Sequence, residues 1–319
     1  IIRPSSNQQS IHEINRAAGV EAYHAGGHDG VSAFGGGSGL DLGKMVAFMA
    51  GQRRPVWDFE DIGDWWTRAN ADAIAPIIAV PTTAGTGSEV GRASVIANSE
   101  THVKKIIFHP KVLPSLVIAD PELTVGMPKF ITAGTGLDAF AHCVEAFSSP
   151  HHHPMSQGIA LEGMRLVITY LPRAYATPDD LEARAQMMSA AAMGATAFQK
   201  GLGAIHAMSH PVGAVFDTHH GTTNAVCMPA VLALNAPEIR ARFDLAAPYL
   251  GIEGGFDGFC DFVQAFNDSF AIPRTLGEMG LTADRLDDLV AMALEDPSCG
   301  GNPVTLTDEN LRGLFAACL

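Results

Sequence analysis

The first 125 residues or so alternate short apolar runs with stretches of helical spacing. The runs are partly β-branched and are bounded by glycine, proline or polar residues, which is the pattern of buried strands. They lie at residues 31–34, 76–80, 94–97, 105–108 and 115–119. Because near-continuous apolar strands are typical of a sheet covered on both faces, this part predicts an α/β domain with such a sheet.

The composition and the spacing of apolar residues change after Asp120-Pro121. From residue 128 onward the chain is rich in Ala, Leu and Met at helical spacing, with proline or glycine between segments, which predicts about seven to nine helices. Four of them are predicted at residues 128–147, 155–175, 180–198 and 282–294. We therefore predict an α/β domain over residues 1–125 and an all-α domain over residues 126–319.

Length and composition agree with a two-domain globular enzyme. The chain has 319 residues, of which 47% are apolar and 17% charged, and this balance argues against disorder. The net charge of −14 disfavours nucleic acid and anionic membranes as partners, since both require a basic surface. Five cysteines occur without a CxxC pair, no apolar run approaches the roughly 20 residues of a membrane span, and no signal peptide opens the chain. We predict a cytoplasmic protein.

A glycine loop follows the first predicted strand. Gly35-Gly36-Gly37-Ser38 joins the run at 31–34 to a helical pattern that begins near Leu40. A strand, a glycine turn and a helix N-terminus together present backbone N–H groups to a phosphate. The loop matches neither common nucleotide fingerprint, and by itself it is equally typical of a tight βα turn.

A second polar loop, at residues 81–89, favours nucleotide binding over a simple βα turn. It follows the apolar run at 76–80 and contains three threonines, one serine and two glycines. Short hydroxyl side chains between glycines suit hydrogen bonding to a ribose, a phosphate or an amide. Two such loops at strand ends favour a nucleotide-binding cleft.

Candidate metal ligands stand in two helical stretches. Asp138 and His142 are four residues apart, as are His206 and His210, so each pair occupies one helix face, and His220 follows soon after. A set of imidazole and carboxylate ligands without thiolate suits Fe²⁺ or Zn²⁺. Spacing alone would select the two i, i+4 pairs. The alternative is an Asp138–His142 hydrogen-bonded pair that has only a structural role.

Several ordered motifs then resemble a known family from about Glu21 to the C-terminus. They are Gly35-Gly-Gly-Ser38 with Asp41, the loop at 81–89, Asp120-Pro121, Gly136-Leu-Asp138-Ala with His142 and Glu145, and His206 with His210-Pro, His220-Gly and Asn224-Ala. Together they are similar to the iron-containing (group III) alcohol dehydrogenases. The resemblance implies the architecture shared with dehydroquinate synthase, in which a nucleotide-binding α/β domain precedes a helical metal-binding domain.

The resemblance also implies roles for individual residues. The metal ligands fall on Asp138, His142, His206 and His220, whereas His210 matches a position near the substrate that serves as a proton relay. The positions expected to bind the cofactor are Gly36, Gly37, Ser38, Asp41, Thr82, Thr83, Thr86 and Lys105, with Lys104 as the alternative to Lys105. Cys299 matches a segment near the active site of some relatives, or else it is a buried bystander.

The implied activity is hydride transfer between a primary alcohol or diol and NAD or NADP, with Fe²⁺, or alternatively Zn²⁺, at the metal site. The resemblance further implies a homo-oligomer, a dimer or multiples of one. Three alternatives stay open: a metal-dependent lyase of the dehydroquinate synthase type, a metal-free reductase like the maleylacetate reductases, and a catalytically silent metal-binding protein.

The glycine loop begins at residue 35, whereas relatives carry a longer segment before it. We therefore expect the first βαβ unit to be lacking, and NAD and NADP to be indistinguishable from the sequence.

Overall fold

The computed structural model describes residues 13–98 and 104–319. The strands are β1 (Val31–Gly35), β2 (Ile77–Pro81), β3 (Ala93–Ala97), β4 (Lys104–Phe108) and β5 (Leu116–Val117). The first two α-helices are α1 (Glu13–Ala25) and α2 (Gly37–Met49). The others are α3 (Lys129–Ser148), α4 (Pro154–Ala176), α5 (Leu181–Ala197), α6 (Ala204–Phe216), α7 (His220–Ala246), α8 (Gly255–Ser269), α9 (Leu286–Leu294) and α10 (Asp308–Cys318).

The strands form two small sheets. Strands β1, β2 and β5 are parallel in the order β1-β2-β5, and β1 pairs with β2 from Val31 opposite Ile77 to Gly35 opposite Pro81. Strands β3 and β4 form a separate antiparallel pair. Each of the five apolar runs therefore contains a strand, although the strand in the last run has only two residues. Both predicted loops leave the same edge of the parallel sheet because β1 and β2 run in one direction.

Only one face of the parallel sheet is covered among the described residues. Ala33 and Ala79 pack with Leu40 of α2 on the buried face. On the opposite face Phe34, Leu116 and Ile118 keep 62%, 52% and 47% of their surface exposed. The expectation of a sheet covered on both faces is therefore wrong for this part of the chain. Alternate residues of the strands point to opposite faces, and α2 reaches only one of them.

The helical part contains eight α-helices between residues 126 and 319, all of which are described, and this confirms the predicted seven to nine. One large apolar core runs through it, with α3 packed between α4, α5 and α7. The prediction at 282–294 is shortened, since a 3-10 turn at Ala283–Arg285 precedes α9. Among the described residues, none of the helices combines the length and apolar character needed to cross a membrane.

A close crossing of α3 and α7 sets the position of the second helix. A Cβ added to Gly221 would lie only 1.9 Å from the carbonyl oxygen of Gly134 and 2.9 Å from Cβ of Asp138. Any larger residue at 221 would therefore push the helices apart. The contact brings His220, the first residue of α7, beside the middle of α3.

Candidate metal centre and cofactor cleft

Three imidazoles surround one carboxylate oxygen at the centre of the helical part. Oδ1 of Asp138 lies 3.7 Å from Nε2 of His142, 3.8 Å from Nε2 of His206 and 3.5 Å from Nε2 of His220. Tetrahedral coordination with metal–ligand bonds of about 2.1 Å places neighbouring ligand atoms about 3.4 Å apart. The observed separations are close to that value. The ligand atoms of Asp138, His142 and His206 all lie within 4.8 Å of one another, and His220 approaches the same carboxylate oxygen, so the cluster suits one divalent cation.

The amide of Asn224 gives a second sign that the cluster suits a cation. Its Nδ2 lies 2.9 Å from Oδ1 of Asp138 and 3.2 Å from Nε2 of both His206 and His220. Its Oδ1 is buried and has no hydrogen-bond partner among the described residues. The positive end of the amide dipole thus lies beside Oδ1 of Asp138, and a metal ion would provide the same positive field more strongly.

Glu145 orients His206. Its Oε2 lies 2.6 Å from Nδ1 of His206, while its Oε1 accepts a hydrogen bond from the backbone N–H of Ile205 at 2.6 Å. The carboxylate occupies Nδ1 and leaves Nε2 directed at Asp138, which is how proteins commonly fix a metal-binding imidazole. Glu145 belongs to one of the family-like sequence motifs, but the sequence did not predict a role for it. Its place one turn after His142 in an apolar helix was the available signal.

The cluster is electrostatically coupled. Burial raises the pKa of Asp138, but the neighbouring His142, His220 and His206 outweigh it and hold that pKa well below its usual range. Burial lowers the pKa of His142 to about 4. Burial also lowers the pKa of His206, yet Glu145 and Asp138 prevail and raise it to about 10. Without metal, His206 therefore keeps a proton at neutral pH.

His210 stands beside this cluster, with its own partner. Its Nδ1 lies 2.7 Å from Oδ2 of Asp296, and its ring stacks on His220 with centroids 5.3 Å apart and planes at 10°. The i, i+4 spacing with His206 therefore does not bring both rings to Asp138. His220 takes that place. The neighbouring His219 caps the first turn of α7 through Nδ1, which lies 3.4 Å from the backbone nitrogen of Thr222.

A cleft of about 300 Å³ joins the histidines to the glycine loop. Its walls include Gly37, Ser38, Asp41, Thr86, Lys104, Asp138, His142, His206, His210 and His220. The two loops meet closely, since a Cβ on Gly36 would lie 3.1 Å from Thr83 and one on Gly37 would lie 2.5 Å from Thr86. Glycine at these positions lets the loops meet, and Gly36 is the N-cap of α2.

Asp41 ties the two loops together. Its Oδ1 accepts a hydrogen bond from Oγ of Ser88 at 2.5 Å, and its Oδ2 accepts one from the backbone of Val95 at 2.9 Å. Nζ of Lys44 lies 3.2 Å from the same Oδ1 of Asp41. The carboxylate therefore shapes the cleft wall from within the protein. Thr82 likewise joins the strands, because its backbone N–H donates to the carbonyl of Gly35.

Lys104 and Lys105 differ in their surroundings. Lys105 pairs with Glu60 at 2.6 Å and does not line the cleft of the histidines. Lys104 does line it, and burial lowers its pKa despite the nearby Asp217. The residue expected from the sequence at the ribose, Lys105, thus lies further from the cleft than its neighbour.

Cys299 is held as a protonated thiol. Its Sγ donates to the carbonyl of Ala293 at 2.9 Å, and burial raises its pKa to about 11. Ser298, next to it, reaches the cleft wall, whereas Cys299 does not line it. Of the two interpretations from the sequence, the geometry favours the bystander.

Two family patterns match most of the chain. The iron-containing alcohol dehydrogenase pattern matches residues 7–121, and the C-terminal pattern of the Fe-containing alcohol dehydrogenase family matches residues 132–319. The chain belongs to the iron-containing alcohol dehydrogenase family. It is accordingly an alcohol dehydrogenase that transfers a hydride between an alcohol and a nicotinamide cofactor. The chain is 42% identical over 304 residues to a 4-hydroxybutyrate dehydrogenase of Cupriavidus necator, covering 92% of this chain and 78% of the relative.

Other members of the family are similar over most of this chain. An NAD-dependent methanol dehydrogenase of Bacillus methanolicus is 32% identical over 325 residues, with 99% of this chain and 83% of the relative covered. The crystal structure of a 1,3-propanediol oxidoreductase is 31% identical and superimposes with a TM-score of 0.93, covering 98% of this chain and 82% of that one. A sulfoacetaldehyde reductase from Bifidobacterium kashiwanohense, solved with NAD⁺, is 30% identical with a TM-score of 0.89 and covers the same shares.

Proposed function

We propose that this alcohol dehydrogenase oxidises short primary alcohols with NAD⁺ at an Fe²⁺ ion held by Asp138, His142, His206 and His220. The observation that carries the proposal is the set of three imidazole nitrogens 3.5–3.8 Å from one buried carboxylate oxygen, at the inner end of the cleft. When bound, the metal supplies a Lewis acid that polarises the oxygen of the substrate. Zn²⁺ has the same ligand preferences and is the alternative ion.

The cofactor is proposed to lie along the cleft between the loops. Gly37 and Ser38 open α2, so their backbone N–H groups and the helix dipole favour the pyrophosphate. Thr86, on the second loop, offers a hydroxyl at the same wall. We assign the ribose contact to Lys104 in place of Lys105, because Lys104 faces the cleft and Lys105 is engaged by Glu60.

The substrate pocket is small and partly apolar. Phe198 packs against His142 with ring centroids 4.8 Å apart, and Leu202 lines the cleft nearby. These walls suit a short carbon chain. Since the relatives include enzymes for 4-hydroxybutyrate, methanol and 1,3-propanediol, we propose an unbranched alcohol of one to four carbons, with 4-hydroxybutyrate as the first to test.

The test is a reconstitution of the purified protein. The protein is stripped of metal, reloaded with Fe²⁺ or Zn²⁺, and assayed for NADH or NADPH formation with 4-hydroxybutyrate, 1,3-propanediol and methanol. We expect turnover only with metal and with at least one of the cofactors. Metal uptake without cofactor binding would instead favour the silent metal-binding protein. Substrate conversion without net formation of reduced cofactor would favour a lyase of the dehydroquinate synthase type.

We also propose that the enzyme is a cytoplasmic homo-oligomer. All five cysteines are free thiols, which suits a reducing compartment. Light scattering after size exclusion would give the mass of the assembly, and a monomer would contradict this part of the proposal.

A further inference from the structure

The ring of His210, like that of His206, is held through Nδ1 by a carboxylate from a different part of the chain. Asp296 lies 86 residues away in sequence, yet its Oδ2 is 2.7 Å from Nδ1 of His210. The side chains are 11% and 24% exposed respectively, so water competes weakly for this contact. Since Nδ1 is occupied, Nε2 is the nitrogen that His210 presents to the cleft.

Asp296 is itself fixed by a second interaction. It caps the 3-10 helix at Pro297–Gly301, where its Oδ1 accepts a hydrogen bond from the backbone of Ser298 at 2.8 Å. One carboxylate thus joins this short helix to α6. Burial raises the pKa of Asp296, but His210 and Ser298 outweigh burial and lower it, so the group is an anion that only accepts hydrogen bonds.

A comparison within the chain separates capping from the contact with His210. Asp120 precedes Pro121 as Asp296 precedes Pro297, and it caps its own 3-10 turn by accepting from Glu122 at 3.0 Å. In the described part of the chain the other oxygen of Asp120 has no such partner. The cap alone therefore needs one oxygen, and the second oxygen of Asp296 is available for His210.

We propose that Asp296 is a positioning residue that holds His210 with the proton on Nδ1 and the lone pair of Nε2 in the cleft. The inference rests on the proposed alcohol oxidation and extends it. In that reaction the alcohol loses a hydride from carbon to the nicotinamide and its hydroxyl proton to Nε2 as the carbonyl forms. A carboxylate on Nδ1 orients the ring for the transfer and stabilises the charge that the ring gains.

A second cavity lies next to His210 and Asp296. His210 and Asp296 both line a cavity of about 390 Å³, together with Glu60, Asp61 and Glu295. Asp296 does not line the cleft of the metal ligands, whereas His210 lines both spaces. The pair thus forms part of the wall between the cofactor cleft and a second cavity that is lined by both charged and apolar side chains.

Replacement of Asp296 by Asn tests the role of the charge with little change in shape. The amide oxygen must keep accepting from Ser298 to preserve the cap, so the amide N–H faces Nδ1 of His210. A donor there selects the opposite tautomer, with the proton on Nε2. We expect D296N to lower kcat on the order of 100-fold, with the KM for the alcohol, bound metal and affinity for NADH within twofold of the wild type.

Two further measurements separate positioning from a general loss of structure. In a double-mutant cycle, D296N should have no further effect on kcat in an H210A background, since its effect passes through His210. Nitrogen-15 NMR of the imidazoles should show the Nδ1–H tautomer of His210 in the wild type and the Nε2–H tautomer in D296N. The matched control D120N should leave all of these quantities unchanged.

The outcomes distinguish this inference from the proposed function. Equal losses of kcat from D296N in the wild-type and H210A backgrounds, loss of metal from D296N, or an unchanged tautomer would overturn the role of Asp296. Absence of alcohol oxidation by the wild-type enzyme would overturn the proposed function. The tautomer measurement, made on the full chain without substrate, would then still decide whether Asp296 positions His210.

Discussion

Glu145 controls the presentation of His206 to the metal, and its replacement by Gln offers a sharp test of the proposed centre. Both side chains are buried, and Oε2 of Glu145 lies 2.6 Å from Nδ1 of His206. The other oxygen accepts from the backbone of Ile205. In E145Q the amide oxygen stays with Ile205, so the amide N–H faces Nδ1 and moves the ring proton to Nε2. That is the atom expected to bind the metal.

The size of the effect follows from two estimates that agree. Loss of a carboxylate behind a metal-binding histidine weakens metal affinity by about 10- to 100-fold, or about 1.4–2.7 kcal/mol. If the amide of E145Q instead turns its oxygen towards Nδ1 of His206, Nε2 stays free for the metal. The buried N–H of Ile205 then loses its acceptor, which costs about 1–3 kcal/mol. Whichever arrangement E145Q adopts, metal affinity should fall by at least about tenfold.

The assay is competition for Zn²⁺ between metal-free protein and a chromophoric chelator, measured at several pH values up to about pH 10.5, because protons compete with the metal for His206 below its pKa of about 10. Wild type and E145Q are compared at the highest pH of the series. Glu162, half-buried and paired with Arg165 at 2.6 Å, supplies the matched control E162Q, which should bind Zn²⁺ as the wild type does. Metal affinity of E145Q within threefold of the wild type would refute the assigned role of Glu145.

Three other predictions follow from the same geometry. H220A should lose metal and turnover, whereas H210A should retain metal and lose rate, and the reverse pattern in metal analysis would refute the ligand assignment. Because a Cβ on Gly221 would lie 1.9 Å from Gly134, G221A should lower the free energy of unfolding by about 3 kcal/mol and release metal, while G158A, which has open space, should do neither. Since Glu145 and Asp138 raise the pKa of His206 to about 10, Zn²⁺ uptake at pH 8 should release about one proton, and affinity should rise with pH up to that pKa; indicator-monitored titration without proton release would contradict this.

Local periodicity predicted α3, α4 and α5 closely, because the apolar spacing that defines each helix lies within its own segment. The run at 128–147 became α3 with ends shifted by one residue, and the runs at 155–175 and 180–198 became α4 and α5. The covering of the sheet could not be read in the same way. Apolar side chains such as Phe34 and Leu116 indicate a surface that avoids water, but not which element covers it.

In the candidate site, too, the residues that share one helix could be predicted from the sequence, and a contact between distant segments could not. Asp138 and His142 share one helix, so their spacing alone placed them together. Glu145, three residues after His142, was available to the same reasoning because a carboxylate in an apolar helix needs a partner. Asp296 carried no such signal, since a residue that caps a short turn 86 residues from His210 looks like any other Asp-Pro cap.

Spacing alone would select His210 as the fourth candidate ligand, whereas His220 is the residue that lies beside Asp138. On α6, His206 and His210 are one turn apart, but only His206 reaches Asp138, and His210 meets Asp296 instead. His220 reaches the carboxylate because α7 crosses α3 at the contact of Gly221 with Gly134. The fourth position is therefore decided by the distance between two helices. A glycine pair far apart in sequence sets that distance, and no periodicity within either helix encodes it.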